Sequence, residues 1–222
     1  MRGLIFDLDD TLYPRERYVR SGLAAVAQHV ESHYGIPSDL AFTEMLKAED
    51  SRLAFQALGA AFDLPVDVNT ELVAVFRNHS PMLWLFHDAD AILRELRQRG
   101  WALAVLTNGL PSVQAAKVAA LGLHELVDHV IYAAEHCPEG KPNPAAFHEA
   151  LRRLELPAHQ VVMVGDDAVC DIDGARAVGL RTIRIARHEN YEPAAADIVL
   201  KTLGEVPRAA EALIPQVIAH AG

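Results

Sequence analysis

Short runs of apolar residues recur along the chain, and each run is followed by a polar cluster and then by a helical pattern. The clearest runs are 4–6, 102–106 and 161–164, and weaker ones lie at 129–132 and 181–185. Runs without polar alternation are typical of strands covered on both faces, as in a parallel sheet. The pattern predicts an α/β fold: a Rossmann-like, doubly wound parallel sheet with right-handed crossovers.

The helices between these runs have recognisable boundaries. Asp88 is a candidate N-cap for a helix that ends at Gly100, because short polar side chains accept hydrogen bonds from free N–H groups there. Another helix opens at Pro111 or Ser112. The Asn-Pro pair at 143–144 is typical of an N-cap followed by the first helical residue.

One segment breaks the alternation. From about Arg15 to Phe86 the chain contains helical pattern and no strand-like run, and it is too long for a loop. We therefore predict a helical subdomain (15–86) inserted after the first strand, with a core domain formed by 1–14 and 87–222.

Composition narrows the class of protein. With 222 residues and 51% hydrophobic residues, the chain can bury a core, so it is not a disordered chain. No apolar run approaches the about 18 residues of a membrane helix. The two cysteines and an early acidic residue, Asp7, favour a reducing, cytoplasmic setting without a secretion signal. The net charge of −10 argues against a nucleic acid polymer as partner, and a monomer is the default expectation.

Polar clusters follow three of the predicted strands. In an open parallel sheet, ligands bind beyond the carboxyl ends of the strands, where these side chains would meet. Several crowded carboxylates repel one another unless a cation is present, and an all-oxygen set suits Mg²⁺. The expected cluster consists of Asp7, Asp9, Thr107, Asn108, Asp166, Asp167 and Asp171.

Lys141 belongs to the same expected site. Pro142 disfavours helical geometry at the residue before it, so Lys141 lies in the loop ahead of the helix that begins near Asn143. From that loop its ammonium group can reach an anionic substrate.

These clusters resemble the four motifs of the haloacid dehalogenase (HAD) superfamily. The resemblance covers 1–13 and about 88–200, and by position the inserted helices resemble a type-1 cap. Gln114 and Lys117, which follow the second motif, are similar to those of the subgroup with bacterial 5′-nucleotidases and N-acylneuraminate-9-phosphatase. In order, the motifs are Asp-Leu-Asp-Asp-Thr (7–11), Leu-Thr-Asn-Gly (106–109), Gly-Lys-Pro (140–142), and Gly-Asp-Asp (165–167) with Asp-Ile (171–172).

The resemblance implies a role for each matching residue. Asp7 would be the nucleophile that forms an aspartyl-phosphate. Asp9 would act as general acid and then general base, and its main-chain carbonyl would contact the metal. Thr107 and the backbone of Asn108 would hold phosphate oxygens, and Lys141 would neutralise the phosphate and the nucleophile.

The same resemblance implies Mg²⁺ as cofactor. Asp7 and Asp166 would bind the ion, with Asp171 beside them as a ligand or as a neighbour of the ligands. Relatives often carry a small polar residue at the position of Asp167, so its role is open.

Asp9 also separates the possible activities. Haloalkanoate dehalogenases resemble this fold, but they lack the second aspartate because a halide leaves without a proton. We therefore predict a Mg²⁺-dependent phosphatase for a small phosphorylated metabolite, either a nucleoside monophosphate or a sugar phosphate. The alternatives are a phosphomutase of the β-phosphoglucomutase type and a phosphate-binding module without turnover.

Overall fold

The apolar runs form one parallel sheet. The computed structural model describes residues 1–48, 53–65, 67–187 and 195–215, and within them the sheet has six strands. In chain order the strands are β1 (Arg2–Phe6), β2 (Trp101–Thr107), β3 (His129–Tyr132), β4 (Val161–Gly165), β5 (Arg181–Ile185) and β6 (Ile198–Leu200). The five predicted strands are confirmed. The sixth was missed because three partly exposed residues at the sheet edge give no strand-like run.

The strand order β3-β2-β1-β4-β5-β6 places β1 where the direction of winding reverses. The chain moves from β1 to β2 and β3 on one side, and then returns to β4 on the other side. Phe6 pairs with Val105 in β2 and with Val164 in β4, so the three strands end at the same edge. Such a reversal opens a crevice at the carboxyl ends, which is where ligands bind in this architecture.

Outside the helical segment 15–83, the described residues of the sheet-containing unit include five α-helices, which lie between or after these strands in the chain. They are α5 (Ala89–Gln98), α6 (Pro111–Ala120), α7 (Pro144–Leu154), α8 (Gly174–Ala177) and α9 (Val206–Leu213). Phe147 of α7 packs in one buried cluster with Ile5 and Met163 of the sheet. The predicted cap at Asn143 is confirmed, because its Oδ1 accepts a hydrogen bond from Ala145 N at 3.0 Å.

The prediction that the Asp88 side chain caps a helix is wrong. The helix does begin at Ala89, but the Asp88 side chain makes no capping hydrogen bond to it. Its Oδ2 instead accepts the backbone N–H of Leu203 at 3.0 Å, a partner 115 positions away that no local pattern could reveal.

The chain divides into two compact units, 1–14 with 84–222 and 15–83. The second unit contains α1 (Arg15–Tyr34), α2 (Ser38–Leu46), α3 (Ala54–Ala61) and α4 (Val68–Asn78). All four helices contribute to its own apolar core, with Val26, Met45, Leu58 and Leu72 fully or almost fully buried. Within the described residues, no helix combines the length and apolar character that a membrane span requires.

Candidate active site

Lys141 lies in a buried cluster of charges beyond the ends of β1 and β4. Its Nζ donates hydrogen bonds to Asp7 Oδ1 at 2.6 Å and to Asp171 Oδ1 at 2.7 Å. Lys141 is 3% exposed, Asp7 7% and Asp171 0%, so these charges interact with little solvent between them. The structure therefore brings together three of the residues that the motifs singled out.

Asn108 fixes the loop that carries this lysine. Its Oδ1 accepts from Lys141 N at 2.7 Å, and its Nδ2 donates to Lys141 O at 2.9 Å. Gly140 leaves room for this pair, because a Cβ there would lie 2.5 Å from Asn108 Oδ1, and its φ of +64° favours glycine. The side chain of Asn108 thus holds Lys141 in place, which leaves its backbone for the predicted contact with phosphate.

Asp171 is presented by a π-helical turn, Ala168–Asp173, which is separated from the end of β4 by Asp166 and Asp167. Asp167 caps this turn: its Oδ1 accepts from Val169 N at 2.9 Å and from Cys170 N at 2.7 Å. Asp167, whose role the motifs left open, therefore stabilises the start of the turn that carries Asp171. Gly165 is required for the same arrangement, since a Cβ at that position would overlap the Asp171 carboxylate.

Three carboxylates converge on one point. Asp7, Asp166 and Asp171 can each offer an oxygen atom, and these atoms lie within 4.8 Å of one another. Burial, followed by the nearby carboxylates of Asp171 and Asp10, raises the pKa of Asp166 to about 7. Burial also raises the pKa of Asp7 well above 3.8, because Lys141 offsets only part of the cost and Asp171 adds to it.

The charges of this group suit a divalent cation. The group contains three carboxylates and one ammonium, which pairs with Asp7 and Asp171, so its net charge is −2 when all four side chains are ionised. An all-oxygen donor set of this charge fits Mg²⁺, which is commonly bound by one or two carboxylates plus water and substrate phosphate. Both oxygens of Asp171 already accept hydrogen bonds, from Lys141 and from Asp167 N, so Asp7 and Asp166 are the better candidates for direct ligands.

Asp9 belongs to a second, separately compensated group. Lys117 Nζ donates to its Oδ1 at 2.7 Å and to its Oδ2 at 3.0 Å. Tyr13 OH donates to Oδ1 at 2.5 Å, and Gln114 Nε2 donates to Oδ2 at 2.9 Å. Burial raises the pKa of Asp9, but Lys117 and these hydrogen bonds outweigh it, so the net pKa lies below 3.8.

Thr107 is joined to the same group. Its Oγ1 accepts from Gln114 Nε2 at 2.5 Å, and it is 1% exposed. Gln114 and Lys117 are the neighbours that the role assignments from the motifs did not include. A signal for them existed, because residues three apart share one face of a helix, and α6 begins beside the second motif.

Comparisons with known proteins agree with this architecture. Residues 1–179 match the haloacid dehalogenase-like hydrolase family. The glyceraldehyde 3-phosphate phosphatase of Methanopyrus kandleri is 32% identical over 209 residues, covering 87% of this chain and 88% of that protein. The ribulose-1,5-bisphosphate 5-phosphatase of Halopiger xanaduensis is 30% identical over 233 residues, covering 92% of this chain and 97% of that protein.

A solved structure extends the agreement to the fold. The 2-haloacid dehalogenase of Pseudomonas syringae superposes with a TM-score of 0.65 at 27% identity, covering 94% of this chain and 97% of that chain. The predicted Rossmann-like α/β fold and the predicted hydrolase class are confirmed. The motifs, the geometry and these matches lead to one assignment: the chain belongs to the haloacid dehalogenase-like hydrolases.

Proposed function

We propose that this chain is a Mg²⁺-dependent phosphatase that hydrolyses the phosphate ester of a small phosphorylated sugar through an aspartyl-phosphate on Asp7. The observation that carries the proposal is the buried Asp7 carboxylate, hydrogen-bonded to Lys141 Nζ at 2.6 Å, in the same unit as a second carboxylate, Asp9, with its own donors. A nucleophile beside a fixed cation and a separate proton carrier are the parts that phosphoryl transfer requires.

In the first step an Asp7 oxygen attacks phosphorus. The new bond to the Asp7 oxygen forms as the bond from phosphorus to the ester oxygen breaks. Asp9 is ionised in the structure, because its donors hold its pKa below 3.8, so it takes up the proton of the substrate's phosphate monoanion and passes it to the departing oxygen. Lys141 lowers the cost of bringing an anionic phosphoryl group to an anionic carboxylate. Thr107 is buried at the end of β2, where its hydroxyl can hold a phosphate oxygen.

In the second step a water molecule attacks the phosphorus of the aspartyl-phosphate. Asp9 now takes the proton from that water, the bond from phosphorus to Asp7 breaks, and inorganic phosphate leaves. Asp7 and Asp166 would hold Mg²⁺, with Asp171 beside them and with the main-chain carbonyl of Asp9 as a predicted further contact. When bound, the ion neutralises the carboxylates and the charge that develops on the transferred group.

The substrate class follows from two sources. The enzyme needs a proton donor such as Asp9 when the leaving oxygen is a poor leaving group, as the alkoxide of a sugar is. The two named relatives act on phosphorylated sugars by their names, a triose phosphate and a pentose bisphosphate. The leaving oxygen of a nucleoside monophosphate is an alkoxide too, so it is the names of these relatives that favour a sugar phosphate over a nucleoside monophosphate. The four-helix unit 15–83 would serve as the cap that selects among them.

Release of inorganic phosphate tests the proposal. The assay uses p-nitrophenyl phosphate and glyceraldehyde 3-phosphate, each with Mg²⁺ and with EDTA, and compares the wild type with Asp7→Asn. Asp173→Asn is the matched control, because it makes the same chemical change at an exposed aspartate in the same unit. We expect release with Mg²⁺, loss of release with EDTA or Asp7→Asn, and wild-type rates for the control.

Two further assays distinguish the alternatives. Conversion of glucose 1-phosphate to glucose 6-phosphate without phosphate release would indicate a phosphomutase. Halide release from 2-chloropropionate, with no phosphate released from either ester, would indicate a dehalogenase. Absence of all three activities in a folded protein would indicate a phosphate-binding module and would contradict the proposal.

A further inference from the structure

The group around Asp9 contains more donors than a surface ion pair needs. Lys117 and Gln114 are 5% and 2% exposed, and both side chains end on Asp9 although they lie more than a hundred positions away. A long cationic side chain loses rotational freedom and hydration when it is buried in this way. A role in holding Asp9 accounts for an arrangement that stability alone does not require.

Gln114 links Asp9 to the second motif. Its Nε2 carries two hydrogens, and one is donated to Asp9 Oδ2 at 2.9 Å and the other to Thr107 Oγ1 at 2.5 Å. The orientation of the amide follows from chemistry, since the opposite orientation would direct Oε1 at a carboxylate. Gly109, with φ of +119°, lets the turn pass close to this amide, because a Cβ there would lie 3.3 Å from Gln114 Cδ.

This bond also decides how Thr107 can act. Because Thr107 Oγ1 accepts from Gln114, its own proton is donated elsewhere: in the structure it points to Asn108 O at 3.5 Å, a long hydrogen bond that a phosphate oxygen can replace. A donor is what an oxygen of a phosphate group needs. Gln114 therefore sets the hydrogen-bond role of Thr107 and the position of Asp9 at once.

We propose that Gln114 and Lys117 are positioning residues that hold the Asp9 carboxylate and the Thr107 hydroxyl as one rigid unit. This inference rests on the proposed function, because it concerns the step in which Asp9 passes a proton from the substrate's phosphate group to the leaving oxygen. Its consequence is selective: Lys117 and Gln114 matter most for esters whose leaving oxygen cannot depart without that proton. Esters of aliphatic alcohols belong to this class, whereas p-nitrophenyl phosphate does not.

The test compares kcat/KM for p-nitrophenyl phosphate and for an aliphatic ester, glyceraldehyde 3-phosphate, in the wild type and in Lys117→Met. Lys201→Met is the matched control, since Lys201 is an exposed lysine of the same unit. We expect Lys117→Met to lose about 10²–10⁴-fold on the aliphatic ester, the usual contribution of a general acid, and less than about 10-fold on p-nitrophenyl phosphate. We also expect Lys117→Arg to recover part of the loss, and the control to match the wild type.

A double-mutant cycle with Asp9→Asn completes the test. If Lys117 acts through Asp9, adding Lys117→Met to Asp9→Asn leaves kcat/KM for the aliphatic ester unchanged within about 3-fold. This comparison also covers the case in which Lys117→Met alone does not fold, because the double variant removes both charges of the pair.

The outcomes separate the two proposals. Equal losses on both substrates, or a further large loss in the double variant, would overturn the positioning role while leaving the phosphatase proposal intact. A folded wild type that releases no phosphate from either ester would overturn the proposed function and this inference with it.

Discussion

Replacing Lys141 by methionine gives the sharpest test of the buried charge cluster. Methionine fills a similar volume, so the change removes the ammonium that donates to Asp7 and Asp171 and little else. Both carboxylates then remain buried without their cation. Breaking a buried pair by removing one partner costs about 3–5 kcal/mol, because the remaining charge is uncompensated. We expect a loss of that size in the free energy of unfolding at about pH 8.

The loss must shrink as the pH falls. Burial already raises the pKa of Asp7 above 3.8 with Lys141 present, and removal of Lys141 raises it further. For a group whose pKa is raised in the folded state, the stabilising contribution is complete below the unfolded pKa and is lost as the pH rises through the folded pKa. A protonated Asp7 is buried as a neutral group, so the cost at about pH 5 should fall to about 1–3 kcal/mol.

Urea unfolding followed by tryptophan fluorescence measures these differences. The two tryptophans of the chain, Trp84 and Trp101, both belong to the sheet-containing unit, so the signal reports that unit. The experiment is done in EDTA, so that a bound cation does not compensate for the missing ammonium, and Lys201→Met is the control. A loss below about 1 kcal/mol at both pH values, or a loss that grows as the pH falls, would show that Lys141 does not compensate the buried carboxylates of Asp7 and Asp171.

Three further predictions concern neighbouring parts of the site. Asn108→Ala removes the two hydrogen bonds that fix the loop of Lys141 and should lower kcat/KM for p-nitrophenyl phosphate by about 10²-fold. An unchanged value would show that the position of Lys141 does not depend on these hydrogen bonds. Gly165→Ala places a methyl group against the Asp171 carboxylate, so we expect a loss of about 1–3 kcal/mol in thermal or urea unfolding and weaker Mg²⁺ binding. Protons compete with Mg²⁺ for Asp166, whose pKa is about 7, so calorimetric Mg²⁺ affinity should fall as the pH drops below that value. Affinity independent of pH from about 5 to 8 would contradict the assignment of Asp166.

Much of the fold was predictable because burial leaves a strong local signal. The three clear runs became β1, β2 and β4, all of which are almost completely buried. A short edge strand such as β6 leaves no comparable signal, since it is only partly covered. The partner of Asp88 is likewise set by tertiary structure, because Leu203 comes near it only when the chain is folded.

The residues of the site were predictable as a set, but their division into two groups was not. Strand ends and motif spacing indicated that the carboxylates meet. They could not indicate that Lys141 is shared by Asp7 and Asp171 while Lys117 compensates Asp9, because these pairings depend on side-chain geometry. The two groups differ in how their negative charge is compensated. The carboxylates of Asp7, Asp166 and Asp171 outnumber their one cation, Lys141, and suit a metal ion, whereas Lys117 balances the charge of Asp9.

In the proposed mechanism, Asp7 carries the phosphoryl group between the two steps. The most direct measurement mixes enzyme, Mg²⁺ and p-nitrophenyl phosphate, stops the reaction with acid within the first turnover, and locates the phosphoryl group by peptide mass spectrometry. We expect a phosphorylated peptide that contains Asp7, present in the wild type and absent in Asp7→Asn. Turnover of the wild type with no such peptide, or a phosphoryl group on another residue, would contradict it.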